Sequence, residues 1–191
     1  MTNTTSVNRE KTTGINIEDL IRFMRNQGRA LGIAETVMNK IKMENGDHIR
    51  LSFCGDTALL EIIRRVTKRV AACIETFTEQ DLDDIGLAVD EACTNVIQHS
   101  CAGNDACAIQ LRFKIEANRL SIRLTDNGTR GQGFDPVSLP PVDIESCLTT
   151  LPKGGFGVHL IKRVMDKVHY SAIPGGDNAL TMVKYAYSKH K

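Results

Sequence analysis

The stretch from Asp90 to His99 constrains this chain most, because it places polar groups on a helix that is otherwise patterned for burial. Apolar residues recur at helical spacing from Leu82 to Ile97 and predict a buried stripe. Glu91, Asn95 and His99 lie at i, i+4 and i+8 and share a second face. A carboxylate and an amide one turn apart can orient a hydroxyl and hold a hydrated cation, although the same residues can also form a plain solvated face.

The composition is that of an ordinary globular protein and excludes several classes of function. A length of 191 residues suits one domain with an appendage, and 41% hydrophobic with 25% charged residues is typical of such chains. The formal net charge of +1 does not favour direct binding to nucleic acid or to an anionic membrane. No apolar run approaches the ~20 residues that span a bilayer, and residues 1–13 lack a signal-peptide core. We therefore expect a cytoplasmic protein.

The cysteines are expected to be buried free thiols. None of them forms a C-x-x-C pair, and clustered zinc-ligand spacing is missing. A disulfide is not expected in a reducing compartment. The six cysteines are Cys54, Cys73, Cys93, Cys101, Cys107 and Cys147.

The sequence pattern of residues 1–45 indicates an extension to a main domain. Residues 1–13 are polar and predict disorder, and residues 17–41 carry a helical pattern that Gly28 and Gly32 interrupt, so one long helix and two short ones are both open. A turn signal at 44–47 marks the boundary. We predict a partly disordered helical extension over 1–45 and a main domain over 46–191. The extension either packs passively or serves as a docking, dimerising or regulatory arm.

Hydrophobic periodicity in the main domain predicts a two-layer fold. Strands joined by hairpins outnumber crossover units, which favours an α/β sandwich with a mixed, mainly antiparallel sheet and helices on one face. The predicted order is a strand at 48–54, helices at 57–77 and 81–101, strands at 107–115 and 120–124, a long loop at 126–155, a helix at 156–167, and strands at 168–172 and 179–187.

Two glycine-rich clusters follow the polar helix in the sequence. Asp126 ends a predicted strand and can accept a hydrogen bond from an exocyclic amine such as that of adenine, and Gly128 and Gly133 let the backbone approach a ligand closely. The second cluster, Gly154-Gly155-Phe156-Gly157, opens a helix whose N–H groups favour phosphates. Each cluster alone is a common turn. Together, and in this order, they indicate a nucleotide site.

These motifs resemble those of the ATPase superfamily shared by gyrase, heat-shock protein 90, histidine kinases and MutL. Glu91-x-x-x-Asn95 resembles its N box, Asp126-x-Gly128 with Gly133 its G1 box, and Gly154–Gly157 its G2 box. Within that superfamily, the stretches 90–99, 133–136 and 154–161 are similar to those of the anti-sigma factor serine kinases of bacterial partner switching. The span from Asp126 to Gly133 is longer than that subfamily's usual form.

The resemblance implies a histidine kinase-like ATPase fold that binds ATP and Mg²⁺ under a lid at about 136–153. In that arrangement Glu91 would be the general base, Asn95 the Mg²⁺ ligand and Asp126 the adenine reader. Arg65 would match a basic residue that engages the antagonist protein or the γ-phosphate. The remaining nucleotide-binding positions would be Gly128, Gly133, Lys153, Gly154, Gly155, Phe156, Gly157, Val158 and, on the terminal strand near the adenine, Thr181.

The resemblance also implies a function. Such a protein would be a homodimeric serine/threonine-protein kinase and anti-sigma factor, which binds a sigma factor and phosphorylates an anti-anti-sigma antagonist with a STAS domain. Two alternatives stay open at this point. One is a nucleotide-regulated module that sequesters a partner without phosphotransfer, and the other is an ATP-hydrolysing switch with water as the acceptor.

Overall fold

The computed structural model describes residues 15–44, 48–101, 107–128, 156–172 and 177–187. A 3₁₀ turn at Thr57–Leu59 leads into the third helix, and a π-helical turn at Val96–Ser100 extends the fourth. The helices are α1 (Ile17–Ala30), α2 (Glu35–Met38), α3 (Leu60–Ala71), α4 (Glu79–Asn95) and α5 (Phe156–Val164). The strands are β1 (Lys42–Glu44), β2 (Ile49–Cys54), β3 (Ala108–Glu116), β4 (Arg119–Asp126), β5 (Lys167–Ala172) and β6 (Asn178–Tyr185).

The strands form a six-stranded sheet in the order β1-β2-β3-β4-β6-β5, and every neighbouring pair is antiparallel. Successive side chains of a strand point to opposite faces of the sheet, so the alternating apolar residues line one face, which joins the core. The core row runs across the sheet in register through Ile49, Phe113, Ile122 and Met182, each at most 4% exposed. The predicted α/β two-layer sandwich is confirmed.

Helix α4 is anchored at its start, and this anchoring fixes where its polar end lies. The Thr78 side chain accepts a hydrogen bond from Asp81 N, and the Asp81 carboxylate accepts one from Thr78 N, which makes a capping box. Lys184 of β6 donates to Asp84 at 3.0 Å and to the carbonyl of Val164 in α5 at 2.8 Å. One buried lysine therefore holds α4, α5 and β6 together.

The segment before residue 45 packs on the main domain in the described structure. Leu20 and Met24 of α1 are buried, and β1 pairs with β2. Gly32 has a φ of +68°, a conformation that suits glycine, and it separates α1 from α2. Two short helices are thus present rather than one long helix. Strand β1 was not predicted, because three residues are too few to show alternation. The division at residue 45 stays a prediction.

Within the described residues, none of the helices combines the length and the apolar character that crossing a membrane would require.

Candidate functional site

The last turn of α4 carries Glu91 and Asn95, and the first turn of α5 lies directly against them. A Cβ added to Gly157 would be 2.5 Å from Glu91 Oε2 and 3.1 Å from Asn95 Nδ2. Real Cβ atoms do not approach other atoms as closely as the first of these distances, so only glycine fits without moving the carboxylate. The structure therefore brings the predicted base, the predicted metal ligand and a residue of the second glycine cluster to one place.

The environment of Glu91 suits proton transfer. Burial raises the pKa of its carboxyl group, and the neighbouring charge of Asp90 raises this pKa further. Burial likewise raises the pKa of Asp90, an effect that Arg64 opposes. A carboxylate with a raised pKa is a stronger base than an ordinary glutamate, which brings Glu91 closer to what general-base catalysis near neutral pH needs.

Asp126 lies at the end of β4, is 3% exposed and is held by two donors. Its Oδ1 accepts hydrogen bonds from Gly128 N at 3.0 Å and from Asn178 Nδ2 at 3.1 Å. Because both bonds end on Oδ1, the second oxygen can accept from a ligand that carries an N–H group. The carboxylate is thus oriented before any ligand arrives.

The turn that follows Asp126 rests on the far end of the polar helix. A Cβ on Gly128 would come closer than 3.0 Å to the carbonyl group and the Cβ of Ser100, the last residue of the π turn. Backbone atoms cannot retreat as a flexible side chain can, so this position also requires glycine. Glu91 and Ser100 are about 14 Å apart along the helix at ~1.5 Å per residue. Both described parts of the glycine clusters therefore abut one helix, at separate points along it.

Not every predicted position falls within the described structure. Phe156 is the first residue of α5, and Val158 is 8% exposed in the same helix. The predicted lid at 136–153 lies outside the described residues, as do four of the predicted nucleotide-binding positions: Gly133, Lys153, Gly154 and Gly155.

Thr181 is not placed beside Asp126. It pairs with Arg123 on β4 and with His169 on β5, one residue out of step with the core row that Ile122 and Met182 define. Because side chains alternate between faces along a strand, Thr181 lies on the opposite face of the sheet from Asp126. The prediction that Thr181 stands near the adenine reader is not supported by this register.

Asn178 occupies the place that was expected of Thr181. It pairs with Asp126 across β4 and β6, is 7% exposed and donates to the carboxylate. Sequence reasoning missed it because the strand was predicted to begin at Ala179. Extending the period-two pattern back from Met182 would have found it, since residues 178, 180 and 182 share one face.

Arg65 on α3 is already engaged. Its Nε donates to Glu61 at 2.7 Å, and its Nη1 donates to Gln27 of α1. Two other basic residues of this helix are paired as well, since Arg64 donates to Glu61 and Lys68 donates to Asp83 at 2.5 Å. The N-terminal extension thus contacts the arginine that the resemblance singled out.

The expectation that every cysteine is a free thiol is wrong for two of them. Cys101 and Cys107 form a disulfide, with 5.3 Å between their Cα atoms. The end of the π turn meets the start of β3, and this brings together two sulfurs that lie only six residues apart in the sequence. Cys93 is free and buried as expected, whereas Cys54 is half-buried and Cys73 is exposed.

Within the described part of the chain, no group of three or more His, Cys, Asp or Glu side chains is placed to hold a metal ion. Asn95 offers an amide oxygen, the kind of hard ligand that Mg²⁺ accepts when phosphates and water supply the rest of its shell. Gly157, at the start of α5, lies directly beside this amide without an intervening side chain.

Comparison with known proteins finds one family. The family model for the histidine kinase-like ATPase domain matches residues 54–184. The serine-protein kinase RsbW of Bacillus thuringiensis is 33% identical over 130 residues, which cover 66% of this chain and 78% of the relative. RsbW of Bacillus licheniformis is 30% identical over 140 residues, or 71% of this chain and 84% of the relative. A solved histidine kinase domain from Erythrobacter litoralis aligns with 89% of this chain and 84% of its own at 15% identity and a TM-score of 0.41, a likeness too distant to carry an argument.

Proposed function

This chain belongs to the histidine kinase-like ATPase family, as its motifs indicated, and we propose that it is an ATP-dependent serine/threonine-protein kinase. We propose that it also acts as an anti-sigma factor. One observation supports this most directly. The first turn of α5 touches the Glu91 carboxylate and the Asn95 amide across a glycine that leaves no room for a Cβ. A phosphate at a helix N-terminus, a metal ligand and a base would then meet at one point.

The nucleotide would lie along α4. Asp126, oriented by Asn178 and Gly128 N, would accept from the exocyclic amine of adenine. The backbone N–H groups at the start of α5 would face the phosphates, in line with the helix dipole. Bound Mg·ATP would supply the phosphoryl group and neutralise its charge, with Asn95 as the protein ligand of the metal. The remaining binding positions we propose are Gly133, Lys153, Gly154, Gly155, Phe156 and Val158.

Glu91 would act on the acceptor. Its carboxylate would hold the serine or threonine hydroxyl by a hydrogen bond and take the proton as the oxygen attacks phosphorus. Phosphoryl transfer demands mainly positioning and electrostatic stabilisation, so few side chains are needed. The raised pKa of Glu91 strengthens it as a base, and Asp90 next to it sustains that shift.

The partners we propose are those that the resemblance to the anti-sigma factor kinases implies, and the relatives' name, serine-protein kinase, is consistent with phosphorylation of a protein. We propose that this chain binds a sigma factor and phosphorylates an anti-anti-sigma protein with a STAS domain. We also propose that it works in the cytoplasm as a homodimer, without contacting nucleic acid or membrane directly.

The test begins with a pull-down from cell extract, with and without Mg·ATP, followed by phosphotransfer to the recovered protein. Glu91→Gln should bind ATP as wild type does and lose ~10²–10⁴-fold in transfer rate, because only the base is removed. Glu79→Gln, an exposed change at the start of the same helix, is the matched control and should transfer at the wild-type rate. An unchanged rate in Glu91→Gln would contradict the proposed role.

The same experiment separates the alternatives. ATP binding with no transfer to any recovered protein would favour the sequestering module. Steady ATP turnover in the absence of a protein acceptor would favour the hydrolysing switch. A complete lack of saturable ATP binding would overturn the proposal as a whole.

A further inference from the structure

We propose that Cys101 and Cys107 form a reversible thiol–disulfide site whose redox state sets the affinity of the adjoining nucleotide site. The inference rests on the proposed ATP-binding function. Its starting observation is the disulfide itself, which joins the π turn after α4 to the residue just before β3. In a reducing compartment a disulfide is rare, and those that occur are usually transient and redox-sensing.

The first link to the nucleotide site runs through Cys101. This residue directly follows Ser100, against whose backbone the turn at Gly128 is packed. Cys101 is 5% exposed, and its N–H donates to the carbonyl of Val96 at 2.8 Å, which closes the π turn. Cross-linking Cys101 therefore fixes the surface on which the Gly128 turn rests.

The second link runs through Cys107, which is 1% exposed and precedes Ala108. Ala108 N donates to the Asn127 side chain at 2.8 Å, and Asn127 N donates back to the Ala108 carbonyl at 3.4 Å. Asn127 stands between Asp126, the proposed adenine reader, and Gly128. The disulfide thus ties together the two backbone segments that hold this turn, one on each side.

The oxidised form should bind ATP more tightly. A cross-link that holds a binding turn in its bound geometry removes part of the ordering cost of binding. Breaking the bond frees the two segments to move relative to each other, although Asn127 and Ser100 keep their own contacts. We expect about a tenfold weaker ATP affinity in the reduced form.

The exchange balances with a small-molecule disulfide such as oxidised glutathione as the oxidant. One protein thiolate attacks a glutathione sulfur, forms a mixed disulfide and releases one glutathione thiolate. The second protein thiolate attacks the protein sulfur of that mixed disulfide, forms the Cys101–Cys107 bond and releases the second glutathione. Two protein thiols lose two protons and two electrons, and one glutathione disulfide becomes two thiols. Two glutathione thiols reverse both steps, and a dithiol reductant also restores the two protein thiols while it becomes a cyclic disulfide.

The test equilibrates the full chain in glutathione buffers over a range of oxidised-to-reduced ratios. Alkylation and mass spectrometry count the free thiols, and a fluorescent ATP analogue reports Kd in the same samples. We expect Kd to rise about tenfold on reduction, with a midpoint that matches the alkylation of Cys101 and Cys107. The variant Cys101→Ser/Cys107→Ser should show the weaker Kd at every ratio. The control Cys73→Ser, which removes an exposed thiol that is not in a disulfide, should follow wild type.

The outcomes separate this inference from the proposed function. Free Cys101 and Cys107 thiols at every ratio, or Kd values within twofold between the two redox states, overturn the inference alone. Absence of ATP binding in both states overturns the proposed function as well. Because wild type is compared with itself on reduction, the result stands even where the double variant folds poorly.

Discussion

Gly157→Ala tests the site directly, because the atom nearest to the added methyl group would be a carboxylate oxygen of the proposed base. Its Cβ would lie 2.5 Å from Glu91 Oε2, and real Cβ atoms essentially never come within 3.0 Å of a neighbour. The carboxylate must therefore move by at least about 0.5 Å. The other near contact, with Asn95 Nδ2 at 3.1 Å, is tight but does not force a comparable shift.

The expected effect is on rate rather than on stability. A misplacement of ~1 Å at a reacting group can cost ~10²-fold, which corresponds to about 2.7 kcal/mol of activation free energy. Alanine is favoured over glycine in a helix by ~1 kcal/mol, and a glutamate end can swing aside cheaply, so folding stability should hold or rise slightly. The assay is single-turnover phosphotransfer at saturating ATP, with thermal unfolding measured alongside.

Gly86→Ala is the matched control, since this glycine lies in α4 but the three atoms nearest to its added Cβ belong to the flexible stems of Lys68 and Arg64, at 3.1 to 3.4 Å. We expect wild-type transfer from it. A Gly157→Ala enzyme that transfers phosphate within twofold of wild type would refute the reasoning, because it would show that the position of the Glu91 carboxylate does not matter.

Four further changes test other parts of the structure. Asn178→Ala should weaken ATP binding by roughly ten- to a hundredfold in calorimetric Kd, since a lost hydrogen bond to a charged group costs ~1.5–3 kcal/mol and Asp126 loses its orientation. The rate of phosphotransfer should fall as pH drops through the raised pKa of Glu91, because the base works only when it is deprotonated. Asp90→Asn should move this fall in rate to lower pH in a pH–rate profile, since the negative charge of Asp90 helps to raise the pKa of Glu91. Lys184→Met should lower the free energy of unfolding by about 3 kcal/mol in urea titrations, because it removes the hydrogen-bond donor of the partly buried Asp84 carboxylate and of the Val164 carbonyl. Thr67→Val should raise that free energy by ~1 kcal/mol, because the fully buried Thr67 hydroxyl finds no hydrogen-bond partner among the described residues; a loss of stability would contradict this.

Local pattern was enough for much of the architecture. The alternation in β2, β3 and β4 and the apolar stripe of α4 predicted these elements to within a few residues, because each buries a face that its own periodicity defines. The order of the strands within the sheet did not follow from pattern. Nor did the short strand β1, whose place depends on hydrogen bonds to β2 rather than on its three residues.

Some residues of the candidate site could likewise be predicted from the sequence, and others could not. Glu91, Asn95, Asp126 and Gly128 could be named from residue type and spacing, since a polar turn on an apolar helix and a glycine after a strand are visible in one dimension. Thr181 could not be placed correctly, because its face depends on the register of β6 against β4.

What the chain by itself determined is therefore the identity of the helix, its polar turn and the glycines that approach it. Only the tertiary structure decided which partners those groups meet: Gly157 against Glu91, Gly128 against Ser100, Asn178 on Asp126, and Cys101 bonded to Cys107. The physical reason is that periodicity encodes which face of an element is buried. Contacts between elements depend on register and packing, and residues distant in sequence set these jointly.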